Sequence, residues 1–516
     1  MSKVLTDSQE IVEVKGEGAS LHSVWAVAHQ NVKLKLSDQA RKKMQNSRDF
    51  IEKRMQGDDP IYGVNTGFGA FSSVRISAGE IEVLQQNLIR SHSCGIGEAF
   101  NKEQTRAIMY LRANALATGR SGIRPEVVDK ILEFMNRDII PVIPSQGSVG
   151  ASGDLAPLAH LALALIGEGK VFESSNIQKT LNEKNVKPLV LQAKEGLSLI
   201  NGCQVMTAIG MLASFEARRL LGLTDLSGAM SLEALRGSRS AFDPEIAMSR
   251  PHPGEAKTAR NLLKLLGQAS EISESHIDCN RVQDAYSLRC MPAVHGAAKD
   301  ALRFVIEKLE VEANSSTDNP LVFVETEKIL SCGNFHGEPV AFALDFAAIA
   351  MSALASICEC RIEKLINPSM SGLPAFLTPD GGLNSGHMIV QVAAASLVSE
   401  NKILSHPASV DSIPTSADKE DHVSMGTIAA RKLKKVIENA QNIVAMELLS
   451  ASQALDLLLP LKPAAGVLAA HKKIRERVPF ASHDRVFSED IEVIRNMIIS
   501  GELSQVVQDT VGNLEY

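Results

Sequence analysis

The stretch TIAARKLKKVIENAQNIVAMELLSASQALDLLL, residues 427–459, contains neither Gly nor Pro. Its apolar positions Leu433, Ile437, Ala440, Val444, Leu448, Ala451, Leu455 and Leu458 step by three or four, the spacing of one helix face. At 1.5 Å per residue such a helix runs to roughly 50 Å. Helices of that length bury their stripe in elongated bundles, often across subunits. The stretch therefore predicts a mainly α protein.

The surrounding chain extends the pattern. Residues 340–358 are almost wholly apolar but include Asp345, whose charge would be costly inside a membrane, so a buried bundle helix is expected. Helical spacing is also read at 37–55, 84–89, 102–119, 124–137, 155–166 and 205–223. Val32, Leu34 and Leu36 alternate as in a strand, and the polar segment 171–194 reads as a surface excursion with a small hairpin. Two regions follow: a mixed N-terminal region over 1–200, and an elongated helical bundle over 201–516.

Composition narrows the function. Hydrophobic residues make up 45% of the chain, ample for a large core. With a net charge of −7, no basic patch is implied by the totals, which argues against a nucleic-acid partner. Seven cysteines, an odd number without a Cys-x-x-Cys pair, read as reduced thiols. The start, Met1-Ser2-Lys3-Val4, has no apolar signal core, so a cytoplasmic protein without a membrane anchor is expected. His-Glu-x-x-His is absent and no metal site is predicted.

The chemistry concentrates at Gly147-Ser148-Val149-Gly150-Ala151-Ser152-Gly153-Asp154-Leu155. Three glycines make a tight loop feeding a buried helix. At Ala151-Ser152-Gly153 the unencumbered nitrogen of Gly153 can approach the Ala151 carbonyl. Attack and loss of two waters would leave a five-membered ring with a methylidene group, an electrophile that no side chain supplies. A flexible loop is the ordinary reading of such a tripeptide, and a phosphate cradle is disfavoured because no Lys-Ser or Lys-Thr follows. Five other clusters interrupt the helices: YGVNTGFG at 62–69, QDAYSLR at 283–289, TDNP at 317–320, GNFHGEP at 333–339 and SADKEDHVS at 416–424. Taken singly they read as loops, caps and turns.

Together these motifs resemble the aromatic amino acid ammonia-lyase and aminomutase family. GSVGASGDLAPLAH at 147–160 is the most specific of them, and the others, with Asn201-Gly202, occur in the family's order. The resemblance implies that Ala151, Ser152 and Gly153 cyclise into a methylidene-imidazolone, with no added cofactor. It implies that Asn201 and Tyr286 stabilise charge on that ring, and that Arg289 holds the substrate carboxylate with its planar fork. Gln283, Asn319 and Phe335 match lining positions, and Tyr62 matches the base that removes the β-proton. Such a phenol must be ionised, which nearby positive charge or donors favour.

Two places bear on the substrate. Ser91-His92 resembles the histidine-specific members, where phenylalanine enzymes usually carry Phe-Leu and tyrosine enzymes His-Leu. Glu420 stands where those enzymes usually have Gln. A carboxylate and a histidine suit an imidazole, which has a donor and an acceptor to satisfy. The resemblance thus implies elimination of ammonia from L-histidine to give trans-urocanate, in a homotetramer with sites shared between subunits. The alternatives are a lyase or 2,3-aminomutase for tyrosine or phenylalanine, and a catalytically silent helical bundle. The silent bundle predicts loss of Ser152, Tyr62 or Arg289, all of which are present.

Overall fold

In the computed structural model, which describes residues 11–56, 61–67, 75–279 and 281–516, the apolar stripe from Leu433 to Leu455 lies on one helix, Gly426–Asp456. Leu433, Ile437, Ala440, Val444, Leu448, Ala451 and Leu455 of its stripe are buried. Three other helices are comparably long: Gln204–Ala234, Met291–Ala313 and Glu338–Ile366. The last is long and apolar enough to cross a membrane, and 61% of its most apolar window is buried inside the protein. Among the described residues the sheets are three two-stranded pairs, so the protein is mainly α, as its periodicity predicts.

Two compact units emerge, and they interleave along the chain. The first comprises Met1–Ala213, Ile306–Asp345 and Pro407–Arg431; the second comprises Ser214–Val305, Phe346–His406 and Lys432–Tyr516. The single cut after residue 200 read from the sequence is replaced by several crossings, four of which fall within the long helices. A helix keeps one periodicity along its whole length, so nothing in its sequence marks such a crossing.

In the first unit the alternation at Leu34 and Leu36 is a strand, Lys33–Leu36, paired in parallel with Ile11–Val14. The helix Leu21–His29 joins them, opened by a capping box at Ser20 and Ser23. The expected 171–194 hairpin is corrected: a short bridge from Val171 to Ser174 leads into the helix Ile177–Glu183. Asn176 explains it, because its side chain accepts the Lys179 N–H and starts the helix.

A buried polar network runs through this unit's apolar core. Helix Lys102–Ala117 is buried from Gln104 to Ala117, and Arg112 on it donates to Gln204 Oε1 and the Ser198 carbonyl. Burial pulls the Arg112 pKa down to about 10, against the pull of the Asp318 charge. Lys194 pairs with Asp318 at 2.8 Å with both side chains inaccessible, and Ser198 Oγ donates to the same carboxylate at 2.7 Å. This pair anchors the short helix Glu195–Ile200 and with it Asn201.

The second unit is bound by its own buried charges. Asp225 accepts from Asn261 at 2.7 Å and pairs with His295 at 2.9 Å and Lys299 at 2.5 Å. Burial opposes the Asp225 charge, yet Lys299 and His295 outweigh it and hold the carboxyl below its ordinary value. Arg361 reaches Glu447 at 2.6 and 3.0 Å, and Ser227 and Ser231 each donate to that carboxylate at 2.7 Å. Paired and hydrogen-bonded in this way, buried charges do not stand unsatisfied.

Candidate active site

The loop ahead of helix Leu155–Leu165 is held from two sides. Met425 N–H donates to the Val149 carbonyl at 2.8 Å, and Ser424 Oγ donates to the Gly150 carbonyl at 3.0 Å. On the far side Asp154 N–H donates to the Gly202 carbonyl at 2.8 Å. Gly153 sits at φ +75°, and a Cβ there would overlap the Gly202 backbone. Only glycine fits that contact, which leaves its nitrogen unencumbered for the close approach read from the sequence.

Asp154 is the loop's internal brace. Its carboxylate accepts the Val205 and Met206 N–H groups at 3.0 and 2.9 Å, capping helix Gln204–Ala234. Its other oxygen accepts from Ser148 Oγ at 3.0 Å and from Thr427 Oγ1. Burial still raises its pKa above the ordinary carboxylate value.

Ser152 is gripped at both ends. Its carbonyl accepts from Asn201 Nδ2 at 2.9 Å, and its hydroxyl donates to Glu420 Oε1 at 2.7 Å. The other Glu420 oxygen accepts from Thr415 Oγ1 at 2.7 Å. Thr415 and Glu420 are also joined by an antiparallel bridge. The turn between them places Ser416, Ala417 and Asp418 at φ +54, +53 and +62°, three successive non-glycine residues in the left-handed region. Such backbone is costly and persists only where its surroundings impose it.

His92 is the last residue of helix Ile81–His92. Its Nδ1 lies 2.9 Å from the Leu88 carbonyl, which can only accept. The proton therefore sits on Nδ1, and Nε2 is left as an acceptor. Burial lowers the His92 pKa, while the charge of Glu420 pulls it the other way.

These groups meet in a cavity of about 1390 Å³ lined by Tyr62, His92, Ser152, Asn201, Phe335 and Glu420, with Ala151 and Asn319 also on its wall. Asn319 Oδ1 accepts the Cys332 N–H at 2.8 Å, and the Phe335 carbonyl accepts from Cys203 Sγ at 2.9 Å. Gly153 lies beneath, against Gly202. Three expected site residues form a separate group in the second unit. Arg289 donates to Gln283 Oε1 at 3.0 Å and lies 4.6 Å over the Tyr286 ring. Gln283 and Arg289 line a different cavity, of about 950 Å³, and Tyr286 is 71% exposed.

Sequence reasoning passed over one lining group and two residues that brace the site from behind it. Asn87 lies one helical turn before Ser91, on the same face, a spacing that could have flagged it. Asp154 and Thr415 were legible only as polar residues in loops, because their partners are remote in the chain.

Residues 19–476 match the family model for aromatic amino acid lyases. The chain belongs to this family. A curated histidine ammonia-lyase of Myxococcus xanthus is 49% identical over 504 residues, covering 97% of this chain and 99% of that protein. Among solved structures, a histidine ammonia-lyase from Trypanosoma cruzi is 42% identical, with a TM-score of 0.90 over 97% of this chain and 95% of that one. A tyrosine aminomutase from Streptomyces globisporus is 37% identical, with a TM-score of 0.93 over 98% of this chain and 100% of that one. As a member of the aromatic amino acid lyase family, the chain has its Ala-Ser-Gly loop, Asn201 and Glu420 in one cavity. The lyase fold alone does not choose the ring of the substrate, since aminomutase and ammonia-lyase share it.

Proposed function

We propose that this chain is a histidine ammonia-lyase, which eliminates ammonia from L-histidine to give trans-urocanate. The observation that carries the reading is that His92 and Glu420, remote in sequence, line one cavity with Ser152. The near-identical length and 49% identity of the Myxococcus relative support it. An imidazole offers one N–H and one lone pair. The acceptor Nε2 of His92 takes the N–H, and the lone pair needs a donor, which the Asn87 amide on the same wall can be. A phenyl ring would leave such groups unpaired, at a cost of about 1–3 kcal/mol for each.

The residues fit an electrophile made from Ala151, Ser152 and Gly153: Gly153 occupies a contact only glycine allows, and Asn201 already donates to the Ser152 carbonyl. When formed, that group makes the α-amine a better leaving group. Asn201 stabilises negative charge on the Ser152 carbonyl oxygen. Tyr62, on the cavity wall, takes the β-proton. Arg289, steadied by Gln283 and Tyr286, binds the substrate carboxylate as a planar fork. A homotetramer with shared sites would bring that trio from one copy to the cavity of another. The free thiols of all seven cysteines suit a cytoplasmic enzyme.

The test is turnover of L-histidine followed by near-ultraviolet absorbance and released ammonia, with tyrosine and phenylalanine alongside. A urocanate signal that is selective for histidine and lost in Ser152→Ala is expected. Turnover of tyrosine or phenylalanine instead would overturn the assignment of His92 and Glu420.

A further inference from the structure

Building the electrophile needs a proton carrier at the Ser152 hydroxyl, and the geometry points to Glu420. We propose that Glu420 catalyses the dehydration of Ser152 that completes the group, a maturation role separate from any role toward the substrate. The inference rests on the reading that Ala151, Ser152 and Gly153 cyclise.

Two carboxylates stand at this loop. Asp154 engages both oxygens, with Ser148 and Thr427 on one and the Val205 and Met206 N–H groups on the other. It is committed to bracing the backbone. Glu420 instead receives the hydroxyl that must leave, 2.7 Å from Oε1, and Thr415 steadies its Oε2 at 2.7 Å. The left-handed turn at Ser416, Ala417 and Asp418 closes the bridge that sets this orientation. A carboxyl group within hydrogen-bond reach of a departing oxygen meets the geometric requirement for general acid–base catalysis.

Ring closure forms the bond between Gly153 N and the Ala151 carbonyl carbon. The former carbonyl oxygen leaves as the first water, with the Gly153 and Ser152 amide protons, and a C=N bond remains. In the second step the Ser152 Cα proton passes to the Glu420 carboxylate and its electron pair becomes the Cα=Cβ bond. The Cβ–Oγ bond breaks with its pair on Oγ, Glu420 hands the proton to that oxygen, and the second water departs. Glu420 ends as the carboxylate it began as, and no oxidant or reductant is consumed.

The test is the mass of the peptide spanning residues 147–155, isolated from full-length wild type, Glu420→Gln and Glu420→Asp, with folding checked by circular dichroism. Gln keeps the shape and a polar contact but cannot shuttle a proton. Wild type is expected to be lighter than the encoded peptide by two waters. Glu420→Gln is expected to stop one water short, with dehydration slowed by roughly 10²–10⁴-fold. Glu420→Asp, which keeps a carboxylate, is expected to recover the second loss. Thr415→Val provides a milder variant: it keeps Glu420 and should slow the same loss. A Glu420→Gln peptide lighter by two waters at the wild-type rate overturns the proposal. Retention of both waters by that variant overturns the assignment to the second step. A wild-type peptide of unaltered mass would instead refute the cyclisation reading itself, so the two failures are distinct.

Discussion

Glu312 lies at the end of helix Met291–Ala313, and its Oε1 is fully buried without a hydrogen-bond partner. Burial raises its pKa from 4.5 to about 7; the nearby Asp154 charge adds to the rise, and Cys203 works against it. At about 1.4 kcal/mol per unit, that rise corresponds to about 3 kcal/mol. The raised value means that the folded protein holds a proton the unfolded chain has released. The associated stability is therefore complete below pH 4.5, declines as pH rises, and is gone above about 7. Glu312→Gln removes the titration and keeps the shape. Unfolding midpoints of both proteins, taken across pH 4 to about 9 at one protein concentration, should diverge, with wild type losing about 3 kcal/mol relative to the variant. Parallel curves would refute the argument, since they would mean that the Glu312 carboxyl ionises in the fold as it does in the unfolded chain.

Other expectations follow from named contacts. Lys194→Met leaves Asp318 buried without its cation and should cost about 3–5 kcal/mol by thermal unfolding, while adding Asp318→Leu should restore most of the loss; equal losses would discount the pair. Gly153→Ala meets both the left-handed backbone and the Gly202 contact, and should destabilise by about 1–3 kcal/mol and abolish turnover; an active, stable variant would contradict the contact. For His92 the lowered pKa means that the unfolded chain binds the extra proton first, so the fold keeps Nε2 an acceptor to below pH 6.5. The titration of the His92 ring, followed by NMR, should therefore have its midpoint below pH 6.5, whereas a midpoint above 6.5 would count against burial as the controlling influence.

The sequence by itself determined the elements. The stripe from Leu433 to Leu455, the strand at Leu34 and Leu36, and the loop before Leu155 were legible because helix period, strand alternation and glycine placement are local properties. Motif resemblance added the identity of Ser152, Asn201, His92 and Glu420 as a set. Tertiary structure decided which of them touch. The bond from Ser152 to Glu420 joins the loop at 147–155 to a turn near residue 420. That contact depends on Asp154 capping a helix that begins at Gln204, and on a left-handed turn with no glycine to announce it. Nor does periodicity distinguish Gln283, Tyr286 and Arg289, which form their own group, from residues that line the Ser152 cavity. Local pattern specifies what a segment becomes; the pairing of remote polar groups is set by packing, which no short window of sequence contains.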